Sequence, residues 1–385
     1  MTMQFNGGRW WAVGVCCLLA LTGCSGFFVP TSTAYGTGTG TGTTPPSTTN
    51  LAYVANTVTN TVSGFNLGSG TLTSVPSMPY LIGFTPQAAV VSRANSYLYV
   101  AGPGAIYAYL IGADGSLSAP ASGAGVVIVN CVSLDVSPDG NWLFGLDGTT
   151  TQLDVYQITP STGGLTLVGA VPYAVTNAQV VPKMVKVSPD GTLVFASLGT
   201  GGDAVFTFNT SNGTALLSQM LAPVSLTTSD NGLAVDKTST HLYIARSGTS
   251  SGMAVYTIGA GGALTSVKNS PFAAGTQPLS VVLDSTNSYA YVANGSGGTI
   301  NGFGVSSVAT GVVTALNGSP YASGVNVRSL GVDSSGKYLL AVGFGGSPDL
   351  TMYSFDTTVA GKLDQVATSA TGTDPAGAVA VALSY

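Results

Sequence analysis

Charge chemistry in this chain rests on few side chains: ten cations, one histidine and fifteen acids, every acid an aspartate. When the chain is aligned by its internal repeats, two of the cations, Lys183 and Arg328, fall in equivalent places. A carboxylate or phosphate could be held there by charge-assisted hydrogen bonds. Gln87 and Asn231 stand in the same ring of places, and Asn130, Gln277, Asn326 and Asp374 come two residues earlier, with Asp230 nearby. Together they read as a polar mouth able to bind a small anionic or polyhydroxylated ligand. Asp135 and Lys186 share another repeat position and read as a structural ion pair between neighbouring repeats. His241 is the side chain best suited to proton transfer near neutral pH. It falls, however, where other repeats place Tyr97, Trp142, Leu193, Tyr289 and Tyr338, which is a scaffold position.

Other chemistries lack their frames. No Gly-x-Ser-x-Gly elbow joins a strand to a helix, so serine hydrolase chemistry has no support. Gly199-Thr200-Gly201-Gly202 belongs to a hairpin connection and not to a phosphate-cradling turn. No His, Cys and Asp spacing suggests zinc and no calcium-loop pattern occurs, so neither a metal nor a cofactor is expected. Cys131 lies in the apolar run Val126-Val127-Ile128-Val129-Asn130-Cys131-Val132 and reads as a buried, inert thiol. A net charge of −5 with scattered Lys and Arg excludes a nucleic-acid footprint. No catalytic set is assigned.

The elements that position these residues are repeats. Six decamers align without a gap, starting at Ser92, Ser137, Ser188, Asp236, Asp284 and Asp333, and a seventh, degenerate copy ends in Leu51-Ala52-Tyr53-Val54-Ala55. Ser137-Pro138-Asp139-Gly140 shows the chemistry of a start: Pro presets φ, Asp bonds the local backbone, and Gly takes the positive φ. An apolar strand follows each turn. A further strand then carries one aromatic, read as Phe65, Tyr109, Tyr156, Phe208, Tyr256, Phe303 and Phe355, which serve packing between repeats. With a fourth strand and an apolar leading strand before each aligned decamer, the unit is a four-stranded propeller blade. The fold class is therefore all-β, a seven-bladed β-propeller.

The two ends complete it. The first repeat lacks its leading strand, while Pro375-Ala376-Gly377-Ala378-Val379-Ala380-Val381 copies one and has no decamer after it. Pairing this C-terminal strand with the N-terminal blade closes the ring and leaves no open sheet edge at the seam.

At these residues the chain resembles the YVTN-repeat propellers, a group similar to the phosphogluconolactonase-like lactonase family. The resemblance rests on Tyr53-Val54-Ala55-Asn56, Tyr291-Val292-Ala293-Asn294, the Ser-Pro-Asp-Gly starts, and Leu264-Thr265-Ser266-Val267 leading to Ser270-Pro271-Phe272. It covers residues 51–385. It implies a seven-bladed propeller with a central funnel, which in the family's enzymes holds His, Arg and Glu to bind a lactone's anionic groups and activate water. This chain has no Glu, and its one His is off the funnel, so no complete set carries over. The expected function is a non-catalytic ligand- or protein-binding scaffold. The alternative is a lactonase-like hydrolase that uses Lys183, Arg328, Asp230 and Asp374.

The first residues read as an address. Arg9 precedes the apolar run from Trp10 to Ala20, too short to span a bilayer but suited to a signal peptide over residues 1–23. Leu21-Thr22-Gly23-Cys24 resembles the bacterial lipobox, so Cys24 is the expected lipidated N-terminus and the membrane a partner through that lipid. Ser25 after the cysteine points to the outer membrane of a Gram-negative cell. Residues 24–50, with Gly36-Thr37-Gly38-Thr39-Gly40-Thr41-Gly42, read as a flexible tether reaching roughly 25–30 Å. Beyond that membrane, a small anionic ligand, a glycan or an envelope protein are the expected partners, with the chain a monomer.

Overall fold

Short runs of Val, Thr, Ala and Tyr broken by Pro-Asp-Gly and Asn turns leave the backbone one economical way to satisfy its hydrogen bonds: antiparallel ladders joined by tight turns. The computed structural model describes residues 50–119, 126–173, 179–306 and 310–385. Among them every regular element is a β-strand except one short 3-10 turn, Ala260–Gly262. The strands form seven antiparallel sheets, one per repeat, and three of the sheets carry a short fifth strand beside the third. The expected propeller is present.

The inner strands of blades 2 to 7 are Ala88–Val91, Cys131–Val136, Met184–Val187, Thr228–Val235, Pro278–Leu283 and Val327–Val332. Blade 1 takes its inner strand from the C-terminus: Ala378–Leu383 pairs antiparallel with Leu51–Asn56, with Ala52 opposite Leu383 and Ala55 opposite Ala380. The seven inner strands pack side by side in a closed ring. Side chains, and not a backbone ladder, bridge them. Ser133 Oγ accepts the Val185 amide at 3.0 Å, Ser280 Oγ that of Leu330 at 3.1 Å, and Ser329 Oγ that of Val381 at 3.3 Å.

The seam repeats the chemistry of every other blade. In intact decamers the starting side chain accepts the amide of the strand's first residue, as Ser92 Oγ does from Tyr97 and Ser137 Oγ from Trp142, both at 3.0 Å. At the seam the decamer is split between the two ends of the ring. Ser384 Oγ accepts the Leu51 amide at 2.8 Å, and the Ser384 amide donates to the Leu51 carbonyl at 3.0 Å.

Blades are locked to one another outside the ring as well. In six of the seven blades the first residue of the second strand pushes its side chain over a left-handed glycine in the outer hairpin of the next blade, and in the other the Tyr338 hydroxyl accepts the Gly70 amide at 2.8 Å. Trp142 over Gly213 (φ 74) shows the device: a Cβ on Gly213 would stand 2.3 Å from the indole. Tyr97 over Gly163, Tyr289 over Gly361 and His241 over Gly311 are equivalent. Tyr53, Tyr99 and Tyr291, two residues further along their strands, donate their hydroxyls to the carbonyls of Gly115, Gly163 and Gly361 at 2.8, 3.1 and 2.8 Å. This is the physical content of the recurring Tyr-Val-Ala phrase.

The strand pairing corrects two details. Opposite Val194 and Leu339 stand Phe206 and Tyr353, so these, and not Phe208 and Phe355, are the equivalents of Phe65 and Tyr156. The signal peptide, Cys24 and the tether up to residue 49 lie outside the described residues. Among the described residues no helix is long and apolar enough to cross a membrane.

Gly213→Ala combines a left-handed φ with a clash against Trp142, and is expected to cost about 2–4 kcal/mol. Gly169→Ala, on an outer strand with open space at its Cβ, is expected to stay within about 0.5 kcal/mol. Denaturant unfolding of the two proteins checks the contrast.

Candidate functional site

The ring encloses a central channel of about 760 Å³ lined by the inner strands. One end is a loop mouth, where the chain enters each inner strand. The other is a turn mouth, where the decamer turns leave it. Gln87, Lys183, Asn231 and Arg328 line the channel at the loop mouth, as their repeat positions require. Gln87, Lys183 and Arg328 are exposed, whereas Asn231 is buried. Its amide nitrogen donates to Ser247 Oγ at 3.1 Å and to the Pro278 carbonyl of the next blade at 2.9 Å.

The two cations are close enough to feel each other. Partial burial, and then the nearby Arg328 charge, hold the Lys183 ammonium below the usual lysine range. Among the described residues no carboxylate stands within ion-pair distance of either. Arg328 lies over the Phe344 ring, 5.2 Å from its centroid, a contact that orients the guanidinium without neutralising it.

The other mouth residues are placed differently. Asn130 donates to Thr149 Oγ1 at 2.6 Å, and Gln277 accepts from Ser296 Oγ at 2.7 Å, both on loops outside the channel wall. Asn326 is a left-handed turn residue whose carbonyl accepts the Phe344 amide at 3.0 Å. Asp374 is exposed but stands off the channel. Because Ser384 occupies the decamer start, the residue equivalent to Lys183 and Arg328 is Val379, and Asp374 lies three residues further out on the loop than its expected place. Asp230 is corrected too: it is 2% exposed and does not reach the mouth. Its cross-strand partner Arg246 holds it in a bidentate pair, Nε to Oδ1 at 2.5 Å and Nη2 to Oδ2 at 2.8 Å.

Arg246 escapes the residue-type reading. It occupies the fourth position of Tyr243-Ile244-Ala245-Arg246, where Tyr53-Val54-Ala55-Asn56 has Asn, and that departure is its only signal in the sequence. Arg246 Nη2 also donates to the Tyr256 hydroxyl at 3.1 Å. Beside the pair lies Asp203, 3% exposed, with Oδ1 lacking a hydrogen-bond partner. Burial, and then the adjacent Asp230 charge, push the Asp203 carboxyl well above the usual range.

The turn mouth is organised by charge. Lys186 Nζ stands 3.2 Å from Asp135 Oδ2, the ion pair expected between neighbouring repeats, and the same oxygen accepts the Val187 amide at 2.8 Å. Tyr385 lines this end of the channel. Its amide donates to Asn95 Oδ1 and its carbonyl accepts from Asn95 Nδ2, both at 2.8 Å, while Arg93 covers the ring at 3.9 Å. His241 is remote from both mouths: buried, with Nδ1 3.1 Å from Asp236 Oδ2, it serves the contact between blades. Cys131 is buried and unpaired, and burial pushes its thiol up to about 12, as an inert core thiol requires.

No protein-family profile matches the chain, and no curated protein does. Solved structures do. A candidate 6-phosphogluconolactonase from Bacteroides uniformis superposes with a TM-score of 0.70 at 16% identity, over 87% of this chain and 99% of its own. A protein from Lactobacillus plantarum matches with a TM-score of 0.70 at 17% identity over the same shares, 87% and 99%. The periplasmic gluconolactonase of Pseudomonas aeruginosa matches with a TM-score of 0.69 at 15% identity, over 88% and 99%. These likenesses carry the fold, a lactonase-like propeller, and leave the chemistry to the side chains.

The buried acid predicts a pH dependence. An unfolded Asp203 releases its proton near pH 4, whereas the folded carboxyl keeps it to higher pH. The folded state then binds more protons, so stability falls as pH rises from about 4 through the raised Asp203 range. Asp203→Asn cannot ionise and should flatten that slope in urea unfolding followed from pH 4 to 8. Asp230→Asn strands the Arg246 charge and should cost about 3–5 kcal/mol.

Proposed function

We propose that this chain is an envelope-anchored propeller that binds a small anionic ligand at the loop mouth, between Lys183 and Arg328. The observation that carries the reading is the pair itself. Two cations at the loop-mouth rim, on the fourth and seventh blades and without an acid to pair them, are what a carboxylate or phosphate needs. Holding the cations together unliganded carries a Coulomb cost, which an incoming anion relieves. The lipobox-like Leu21-Thr22-Gly23-Cys24 supports anchoring through a lipidated Cys24 to the outer membrane, with residues 25–50 as tether.

Lactone hydrolysis is the second reading, favoured by the fold shared with a gluconolactonase. In it Lys183 and Arg328 hold the substrate's anionic group. Among the described residues the mouth offers no carboxylate or histidine to activate water, because Asp230 is engaged by Arg246 and His241 packs between blades. Binding is therefore the better-supported function.

Calorimetric titration with gluconate, 6-phosphogluconate and inorganic phosphate tests the proposal, with gluconolactone hydrolysis assayed alongside. Arg328→Ala is expected to weaken anion binding about 10- to 100-fold, the loss of one charge-assisted contact. Equal binding by Arg328→Ala and the parent protein rejects the site. Binding should also weaken as pH rises through the lowered Lys183 range and should take up a proton there. Arg328→Ala, by removing the repelling charge, should move that loss to higher pH.

A further inference from the structure

Below the loop mouth the channel changes character. Val132 and Leu279 flank the two cations at their own level, Met184 and Val381 follow below them, and Val332 and Leu383 stand near the turn mouth; all six line the channel and are only half-buried, because their free faces look into it. The polar groups of the same wall are already engaged. The hydroxyls of Ser133, Ser280 and Ser329 accept amides of the neighbouring inner strands, and Asn231 donates to the Pro278 carbonyl. A polyhydroxylated ligand passing the mouth would leave its hydroxyls unpaired against aliphatic wall, at a cost that discriminates strongly. Charge returns only at the turn mouth, with the Asp135–Lys186 pair, with Lys237, Asp284 and Asp333, and with Tyr385 clamped between Arg93 and Asn95. Lys186 lies on an inner strand and Lys183 just before it, three residues away, so the stretch between the two charged levels is roughly 10 Å deep.

We infer that the channel takes an amphiphilic anion: a carboxylate seated at Lys183 and Arg328, followed by an unbranched aliphatic tail that runs down the aliphatic wall toward Tyr385. The inference rests on the anion site proposed above and specifies the ligand class that the rest of the channel fits. The headgroup supplies orientation through the two cations. The tail supplies affinity by removing apolar surface from water on both sides.

A chain-length series tests it without altering the protein. Acetate, butanoate, hexanoate and octanoate are titrated into the purified protein by calorimetry, with gluconate as the hydroxylated counterpart of hexanoate. Affinity should rise by up to roughly fourfold per added methylene, the transfer value for a buried CH₂, until the tail reaches the turn mouth. Hexanoate should bind more tightly than gluconate. Val282→Thr with Val381→Thr, near-isosteric changes in the wall below the cations, should weaken octanoate several-fold and leave acetate unchanged. Arg328→Ala should weaken every member by a similar factor. Affinity that is flat along the series, or gluconate bound more tightly than hexanoate in an Arg328-dependent way, overturns the amphiphile and leaves the anion site standing. No binding of any of these anions overturns both.

Discussion

The contact on which this propeller depends is the one between a strand-opening side chain and a glycine of the next blade. A sheet of four short strands cannot bury its faces alone; it needs a neighbour on each side. Trp142 against Gly213, Tyr97 against Gly163 and Tyr289 against Gly361 fix how far and at what angle the next sheet stands. The glycine is needed twice over, for its left-handed backbone and for the absent Cβ whose space the ring fills. The tyrosine hydroxyls of the second strands then satisfy carbonyls of those same hairpins, so the polar backbone there is paired although it is buried. Six such contacts, with the Tyr338 hydroxyl on the Gly70 amide as the seventh link, leave little freedom at the centre, where the inner strands meet.

That constraint determines what the channel can be. Neighbouring inner strands lack a mutual backbone ladder, so their edge groups must find side-chain partners, and short hydroxyls are the ones that reach. Each serine used this way ceases to be available to a ligand. Arg246 and Asp230 show the same economy one layer out: two side chains that could do chemistry face each other across a strand pair and saturate one another. What remains unpaired at the axis is Lys183, one residue ahead of its ladder, and Arg328, in the bulge between Val327 and Ser329. Their position at the rim, and not their residue type, leaves them free.

The sequence reveals the fold and hides the site for one reason. Blade number, closure and the loop-mouth ring come from positions that recur, such as Tyr53, Tyr99 and Tyr291, and recurrence is visible along a single chain. A site made of departures from the repeat is not. Arg246 in an asparagine position is legible as an oddity, but its partner Asp230 becomes legible only when the strand register sets the two opposite each other. Asp203 comes from a different blade and is brought beside them by the ring. The C-terminal loop fails in another way. Between Ser369 and Ala378 no repeated phrase marks the register, and the seam's decamer is cut to Ser384-Tyr385, too short to align. Asp374 is therefore read three residues out of place.

The distribution of aspartate gives the loop mouth its sign. Asp147, Asp154, Asp203, Asp230 and Asp349 all stand toward that face, and all are buried: behind backbone amides, beside a tyrosine, against Arg246 or next to Thr371. Asp114, Asp139 and Asp190 are exposed, and they sit on turns at the opposite face. Among the described residues Lys183 and Arg328 are then exposed charges of the loop face at the axis, with Asp374 out on its loop and Lys268 just past an outer strand. At physiological salt a charge is screened beyond about 8 Å, so the exposed acids across the disc, more than a strand length away, do not reach the mouth. A chain that is acidic overall thus presents a locally positive opening to an approaching anion. It does so by burying acids on that face and not by adding bases to it, and for that reason the net charge of −5 is a poor guide to what the channel attracts.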